Sequence, residues 1–224
     1  MMSDIVLRAE IDTAFRAFVG DPKFSCLAGK GVVRSDRFEL GVYGELGSSH
    51  SAAALTRDLE RFIAAPEAAD AAFRSLVAVF PGSAPRDETE FEQLLWTQLE
   101  RLHERDDPSR GWDAAVSDDP EDPRFAFSFA GCALFVIGMH PRSSRDARRF
   151  DWPTLVFNPH AQFEQLRATG RFDRLRGIVR EREIALQGSL NPNLADFGEQ
   201  SEARQYSGRA AEPDWQCPFH RKAE

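Results

Sequence analysis

The chain of 224 residues is 42% hydrophobic and 29% charged, a globular composition at a length that favours one domain over two. Its formal net charge of −8 argues against nucleic-acid and anionic-membrane binding, because phosphate-rich surfaces attract basic faces. The sequence shows no secretory signal and no apolar stretch near the ~20 residues that span a bilayer. Its three cysteines lie far apart, so we expect a cytoplasmic protein with free thiols and a single domain over residues 1–224.

Hydrophobic patterning predicts two strands, a helix and a third strand in the first part of the chain. Short apolar stretches at 24–33 and 38–46 are typical of strands, with a polar turn between them. A serine-rich cap at Ser48 opens a helix with apolar residues at helical spacing. The brief apolar run 76–80 ends at a Pro-Gly turn, which indicates a buried strand.

A second helix and a long loop follow. Asp87 with Glu90 three residues later has the spacing of a capping box, and leucines recur on one face of the helix behind it. The stretch 105–123 is acidic and interrupted by prolines. We therefore expect a variable surface loop there, and not a linker between domains.

Strands and helices alternate in the second half of the chain. The expected strands are 125–129, with phenylalanine at alternate positions, 132–139, which is continuously apolar, and 154–157. Asn158 and Pro159 are residue types of a helix N-cap and first helical position, and the helix behind them is interrupted at Gly170. This order predicts an α+β fold with a mixed central sheet of about five or six strands and flanking helices.

Two histidines directly follow predicted strands, and strand ends often carry functional groups. We expect the strands before His140 and His160 to run parallel, which would bring both rings to one edge of the sheet. His160 is expected in the first turn of its helix, where the helix dipole disfavours imidazolium and leaves a neutral ring able to bind a metal. A capping or core role, satisfied by hydrogen bonds, is the alternative for each. The sequence lacks close-spaced metal motifs, GxSxG, a Walker lysine and GxGxxG.

Two further groups of side chains have open interpretations. Four arginines crowd into eight residues, either as a solvated helix face or as an anion site: Arg142, Arg145, Arg148 and Arg149. Cys217 lies between aromatic residues, where a cysteine packs as a small hydrophobic residue or, beside a cation, acts as a thiolate ligand or nucleophile.

Several long motifs resemble those of the YqcI/YcgG family. They are HPRSSRDARRF at 140–150, FNPHAQFEQLR at 157–167, LQGSLNPNLADFGEQSEARQYSGR at 186–209 and WQCPF at 215–219. FSCLAGK at 24–30 is similar to the family's phenylalanine-proline-cysteine motif, with Ser25 where proline is usual. The resemblance covers nearly the whole chain, although 48–122 matches only in general pattern. Members of this family include heme-dependent N-hydroxylases, which are similar to enzymes of guanitoxin and D-cycloserine assembly.

The resemblance implies a b-type heme and the hydroxylation of an amine or guanidine nitrogen of a small molecule, with dioxygen and an electron donor or with peroxide. His160 is the first candidate for the axial iron ligand, and His140 is a further candidate at the cofactor. Cys217 and Cys26 compete with His160, because a thiolate favours oxygen–oxygen cleavage. A non-catalytic heme carrier or sensor and a cofactor-free anion-binding module are the alternatives.

The same resemblance supplies candidates for binding the heme propionates and the substrate. Arginine forms charge-assisted, often bidentate bonds to carboxylates, and the candidates for the propionates are Arg145, Arg148, Arg149 and Arg209. Glu199 and Glu202 are expected to receive a guanidinium substrate, because a carboxylate matches its planar fork.

Overall fold

The computed structural model of the protein describes residues 2–65, 73–194 and 199–220. Within them the helices are α1 (Met2–Gly20), α2 (Leu27–Arg34), α3 (Ser49–Ala64), α4 (Glu88–His103), α5 (Ala161–Ala168) and α6 (Arg171–Gln187). The strands are β1 (Phe38–Val42), β2 (Ser75–Val79), β3 (Ser128–Phe129), β4 (Cys132–Met139) and β5 (Thr154–Pro159). The expected α+β fold with a mixed five-stranded sheet is confirmed.

The sheet has the strand order β1-β2-β5-β4-β3. Only β1 and β2 run parallel, whereas β2 with β5, β5 with β4 and β4 with β3 are antiparallel. Every residue of β2 is buried, because helices cover both faces of the sheet at its centre. In the part of the chain that the structure describes, no helix is both long and apolar enough to cross a membrane.

Alternate residues of the strands feed two hydrophobic cores on opposite faces of the sheet. The first core lies between the sheet and helices α3 and α4, and its strand residues include Leu76, Ala78, Val136, Leu155 and Phe157. The second core lies between the sheet and helices α1 and α2, and its strand residues include Val77, Val79, Ile137, Met139 and Val156. The protein is therefore a three-layer arrangement of helices, sheet and helices.

Both predicted helix starts are confirmed. Ser48 is the N-cap of α3, and its Oγ accepts a hydrogen bond from Ser51 N–H (3.1 Å). Asp87 is the N-cap of α4, and its carboxylate accepts from Glu90 N–H (2.8 Å). The capping box is incomplete, because the Glu90 carboxylate accepts from Arg86 N–H (2.6 Å) and not from the cap residue.

The predicted strand at 24–33 is wrong, since helix α2 occupies most of this stretch. Cys26 is the N-cap of α2, and its Sγ accepts a hydrogen bond from Gly29 N–H (3.4 Å). Lys30 and Val32 are buried on the inner side of the helix. A thiol is a weaker cap than a hydroxyl or carboxylate, so the apolar pattern gave no recognisable signal for a helix start. Similarly, the strand expected at 38–46 ends at Val42.

The strand expected at 125–129 shrinks to β3, the two residues that pair with β4. Phe125, Phe127 and Phe129 are all fully buried, and so are the residues between them, which excludes a half-exposed strand. The three rings pack into the first core. Instead of a regular ladder, Phe127 O accepts from Leu134 N–H (2.8 Å).

The helix with a predicted N-cap at Asn158 begins two residues later, with its N-cap at His160. Asn158 and Pro159 belong to β5, and the Asn158 amide donates to Phe135 O (3.1 Å) across the sheet. His160 continues this pairing, because its N–H donates to Ala133 O (2.8 Å), and it is the N-cap residue of α5. The interruption predicted at Gly170 is confirmed as the junction of α5 and α6, where Gly170 has a φ of 65°.

The predicted loop at 105–123 contains only a short 3-10 turn, at Pro108–Arg110. The loop also bonds to the sheet, because the Asp113 carboxylate accepts a hydrogen bond from Ala133 N–H (2.8 Å) at the start of β4. The Asp106 carboxylate accepts from Ala130 N–H (2.8 Å). Trp112 packs against the first core, so the loop is bound to the domain by side chains and not by regular structure.

Residues 199–220, called the tail below, dock along the edge of β4 that β3 leaves open. Gly138 N–H donates to Tyr206 O (2.7 Å), and Phe127 N–H donates to Tyr206 Oη (3.1 Å). Arg148 Nη1 donates to both Gly138 O (2.9 Å) and Tyr206 O (3.3 Å). These bonds satisfy backbone groups that would otherwise be buried without partners.

We expect Gly138→Ala to destabilise the fold by about 1–3 kcal/mol, the usual cost of overpacking. A Cβ at this position would lie 2.7 Å from the Phe91 ring and 2.8 Å from Tyr206 O, so the tail or α4 would have to move. Gly177→Ala in α6 is the control, because no atom lies within 4 Å of the added methyl and alanine favours helix. Urea unfolding of both variants measures the difference. Equal stability of the two variants would contradict this docking of the tail.

Candidate functional site

A cavity of about 340 Å³ lies against the face of the sheet that carries the second core. Strand residues such as Val77, Phe135 and Ile137 form its floor, and residues of α1, α2, α5, α6 and the tail form its walls. The volume is at the lower end of the range of about 300–1,000 Å³ for small-molecule pockets. Five residues proposed from the sequence line it: Cys26, Arg145, Arg148, His160 and Glu202.

Cys26 faces the cavity from the N-terminus of α2. Burial raises the pKa of the Cys26 thiol, while the N–H groups of Gly29 and Ala28 and the charge of Arg148 oppose this rise. A helix N-terminus and a neighbouring cation are the features that stabilise a thiolate. Burial therefore favours the protonated thiol, whereas the start of α2 and the charge of Arg148 favour the thiolate.

Two arginines form the charged end of the cavity. Arg145 Nη2 lies 2.7 Å from Glu183 Oε1, and the two side chains are only 10% and 13% exposed. Arg148 donates to three backbone carbonyls, the third being Gln205 O (3.1 Å). Burial lowers the pKa of Arg148 to about 10, which indicates a poorly hydrated environment. Arg145 thus holds α6 to the domain, and Arg148 holds the tail.

His160 and Glu202 form a polar pair on the wall of the cavity. His160 is 3% exposed, with Nε2 3.4 Å from Glu202 Oε2 and Nδ1 3.8 Å from Glu164 Oε1. Tyr206 Oη lies 3.0 Å from Glu202 Oε1 and 3.2 Å from Leu134 O, so its single proton is donated to one of these two acceptors. Burial and the Glu202 charge raise the pKa of Tyr206 well above its usual value. The Glu202 carboxylate therefore lies between a phenol and an imidazole.

His140 lies far from this pair, because β4 and β5 are antiparallel and not parallel as the sequence suggested. The two histidines are at opposite ends of the strands: His160 lies opposite Ala133, seven residues before His140, which is roughly 24 Å at about 3.4 Å per residue. They also lie on opposite faces of the sheet. His140 is fully buried and stacks on Phe91 of α4, with ring centroids 4.2 Å apart. The expectation of one shared histidine site is therefore wrong.

The remaining sequence candidates lie outside the cavity. Arg149 is exposed, donates to Ser143 O (2.8 Å) and pairs with Asp146. Glu199 is exposed at the start of the tail. Cys217 packs against the first core, where burial raises the pKa of its thiol to about 12. Within the described residues, no three His, Cys, Asp or Glu side chains converge on one metal position.

Arg209 pairs with a carboxylate beneath the tail and does not reach the cavity. Its Nε and Nη2 lie 2.9 and 2.8 Å from Glu92 Oε2, and Ser207 Oγ donates to Glu92 Oε1 (3.0 Å). The Glu92 and Arg209 side chains are 9% and 14% exposed. This nearly dry ion pair joins the tail to α4, so the SGR motif has a structural role here.

Sequence analysis missed the contribution of α6 to the cavity. The wall residues on this helix recur at helical spacing and alternate between apolar and charged types: Phe172, Leu175, Arg176, Val179, Arg180 and Glu183. Positions three and four residues apart share one helix face. A helix face that mixes arginines with apolar residues was the available signal for a polar-rimmed pocket. Nothing in the sequence indicated the hydrogen bond that Ser75 Oγ donates to Asn158 Oδ1 (2.6 Å).

The family comparison agrees with the motifs. The model of the YqcI/YcgG family matches residues 15–220. The chain belongs to the YqcI/YcgG family. A relative from Bacillus subtilis (strain 168), named Uncharacterized protein YqcI, is 28% identical over 213 residues, which are 90% of this chain and 83% of the relative. No solved structure matches the chain. The cavity residues run from Phe15 to Gln205, so the part shared with the YqcI/YcgG family builds the entire cavity.

We expect Arg209→Ala to destabilise the protein by about 3 kcal/mol, because it leaves the buried Glu92 carboxylate without its counter-charge. Arg110→Ala is the control, since Arg110 and Glu60 are 42% and 36% exposed and such pairs contribute about 0–1 kcal/mol. Chemical denaturation of both variants tests the difference. A double variant with Glu92→Met and Arg209→Met should recover most of the loss, and equal losses in the two single variants would refute the structural role.

We expect His140 to make the fold less stable at mildly acidic pH. Burial lowers the pKa of His140 to about 4, although the charges of Glu88 and Asp87 oppose this, whereas an unfolded histidine has a pKa near 6.5. The unfolded state therefore binds the extra proton first, and stability falls as the pH drops from about 6.5 towards 4. The loss at pH 5 is roughly 2 kcal/mol.

His140→Phe should flatten this pH dependence between pH 7.5 and 5, because it keeps the stacking on Phe91 and removes the titrating group. His50→Gln, at an exposed position, serves as the control and should keep the slope of the parent protein. Unfolding free energies at the two pH values provide the measurement. A slope in His140→Phe as steep as in the parent would rule out this histidine as the source.

Proposed function

We propose that the protein is a heme-dependent oxygenase that hydroxylates an amine or guanidine nitrogen of a small molecule. One observation carries the proposal: a mainly apolar cavity has both a thiol, Cys26, and an imidazole, His160, on its walls. A heme site requires an apolar chamber and at least one such axial ligand. Membership of the YqcI/YcgG family supports the same reaction class through the sequence resemblance.

The chemical character of the cavity lining suits an apolar macrocycle. Aromatic and aliphatic side chains from the sheet and four helices surround it, including Phe24, Phe38, Phe135, Met139 and Phe163. Near α5, the apolar lining is interrupted mainly by the polar pair of His160 and Glu202. Such a lining excludes water from a reacting centre, which strengthens electrostatic interactions inside the site.

We favour Cys26 as the axial ligand, a choice that departs from the preference for His160 in the sequence interpretation. Both ring nitrogens of His160 lie within 4 Å of carboxylate oxygens, so iron would displace one of these contacts. Cys26 faces the cavity, and the N–H groups of α2 and the charge of Arg148 favour its thiolate. Cys217 packs on the other face of the sheet.

The bound heme would supply the activation of dioxygen or peroxide. With peroxide the reaction balances as R–NH₂ + H₂O₂ → R–NHOH + H₂O. With dioxygen, an external electron-transfer protein must supply two electrons, and two protons are taken up as one oxygen atom leaves as water. The side chains of the protein have to bind the nitrogen group, orient it and handle its proton.

Glu202 is the residue that we propose for binding the substrate nitrogen. Glu202 lines the cavity, with Oε1 3.0 Å from Tyr206 Oη and Oε2 3.4 Å from His160 Nε2. An ammonium or guanidinium group forms charge-assisted bonds to such a carboxylate. The adjacent imidazole can take up or return a proton at Nε2 while the nitrogen is hydroxylated.

The proposal predicts about one b-type heme per chain after reconstitution with hemin and desalting. The ferrous carbonyl form of the parent should show a Soret band far to the red of that of imidazole-ligated heme, because a thiolate donates electron density to iron. Cys26→Ser should lose the red-shifted band, whereas the control Cys217→Ser should retain it. Absorption spectra of the desalted samples provide the measurement.

Other spectral outcomes identify the alternatives. Loss of the parent spectrum in His160→Gln, with no change in Cys26→Ser, would make His160 the ligand. Absence of a Soret band would refute the heme proposal and leave the anion-binding module. Heme binding without hydroxylamine formation from any amine or guanidine, with either peroxide or a reductase, would favour a carrier or sensor.

A further inference from the structure

Arg148 lines the cavity, and its guanidinium has part of its hydrogen-bonding capacity unused. A guanidinium has five N–H groups. In Arg148, Nη1 donates to Gly138 O and Tyr206 O, and Nη2 donates to Gln205 O. Among acceptors in the described residues, these three carbonyls are its partners, so Nε–H and one Nη2–H remain for a ligand. No carboxylate of the described residues forms an ion pair with Arg148.

Taken together, the charges of Arg145, Arg148 and Glu183 leave one positive charge in excess. Arg145 and Glu183 neutralise each other at 2.7 Å. Cys26 carries no compensating charge as a thiol, which burial favours. A buried charge without a counter-charge is costly, and carbonyl dipoles offset only part of this cost. An anionic group that enters the cavity would offset the rest of this free-energy cost.

We propose that the Arg148 end of the cavity binds a carboxylate of the ligand that fills the cavity. One uncompensated charge matches a monoanion, and two remaining N–H donors match the two oxygens of a carboxylate. The rest of the lining, with Phe24, Val32 and Ile137, suits an apolar body attached to that carboxylate. The carboxylate belongs either to a heme propionate or to an acidic substrate.

The charge requirement is tested first without heme, with naphthalene-2-carboxylate and its neutral amide as matched probes. Calorimetry on the parent protein should show the carboxylate binding at least about tenfold more tightly than the amide, the expected strength of charge-assisted bonds. Equal affinities would overturn the proposal. This comparison needs no variant and does not depend on heme.

Variants then locate the anion. Arg148→Met should abolish the preference for the carboxylate, whereas Arg149→Met, an exposed neighbour outside the cavity, should retain it. Because Arg148 also holds the tail, Arg148→Lys is the second variant, which keeps the charge and should retain a reduced preference. An unchanged preference in a folded Arg148→Met protein would overturn the assignment.

Hemin and its dimethyl ester identify the source of the carboxylate, and this arm rests on the proposed function. If a propionate occupies the subsite, the ester should bind at least about tenfold more weakly to the parent and equally to Arg148→Met. If a substrate carboxylate occupies it, hemin and the ester should bind alike, and the naphthoate should bind the heme-loaded protein. Absence of any heme binding refutes the proposed function, while the probe comparison still decides on the carboxylate subsite.

Discussion

The docking of the tail on the open edge of β4 is the contact on which the site depends. Strand β3 covers only the first two residues of β4, and Tyr206 takes over the pairing at Gly138. At this junction Arg148 donates hydrogen bonds to both segments, to Gly138 O of β4 and to Tyr206 O of the tail. The docked segment contributes Glu202 and Gln205 to the wall of the cavity. An unpaired strand edge is a liability in most sheets, and here it is used to position functional groups.

The two faces of the sheet have different physical roles. The first core contains many ring–ring contacts, such as those of Phe219 with Phe125 and Phe127. The second core is interrupted by the cavity, which α6 covers without fully burying any of its own described side chains. Polar bonds such as Arg145–Glu183 hold this helix in place. A cover attached in this way opens at lower free energy than a helix packed into a core.

The sequence predicts the elements that local chemistry determines. Ser48 and Asp87 signal their helices because a side-chain oxygen caps each first turn, and the apolar strands β2, β4 and β5 follow from hydrophobicity. The direction of β4 against β5 is set by long-range pairing, so the separation of His140 from His160 had no local signal. The motif-dense segments contribute Arg148, His160 and Glu202 to the lining of the cavity. The pairing of Arg209 with Glu92, 117 residues apart, depends on the tertiary fold.

The span of the cavity wall has a consequence for how the protein is made. The residues that line it run from Phe15 to Gln205. The wall is therefore complete only after synthesis has reached Gln205. Domains generally fold as units during synthesis, and here the first helix must wait for the tail before a pocket exists. A ligand that needs the whole wall can therefore bind only after Gln205 has been synthesised and has docked beside the residues contributed by the first helix.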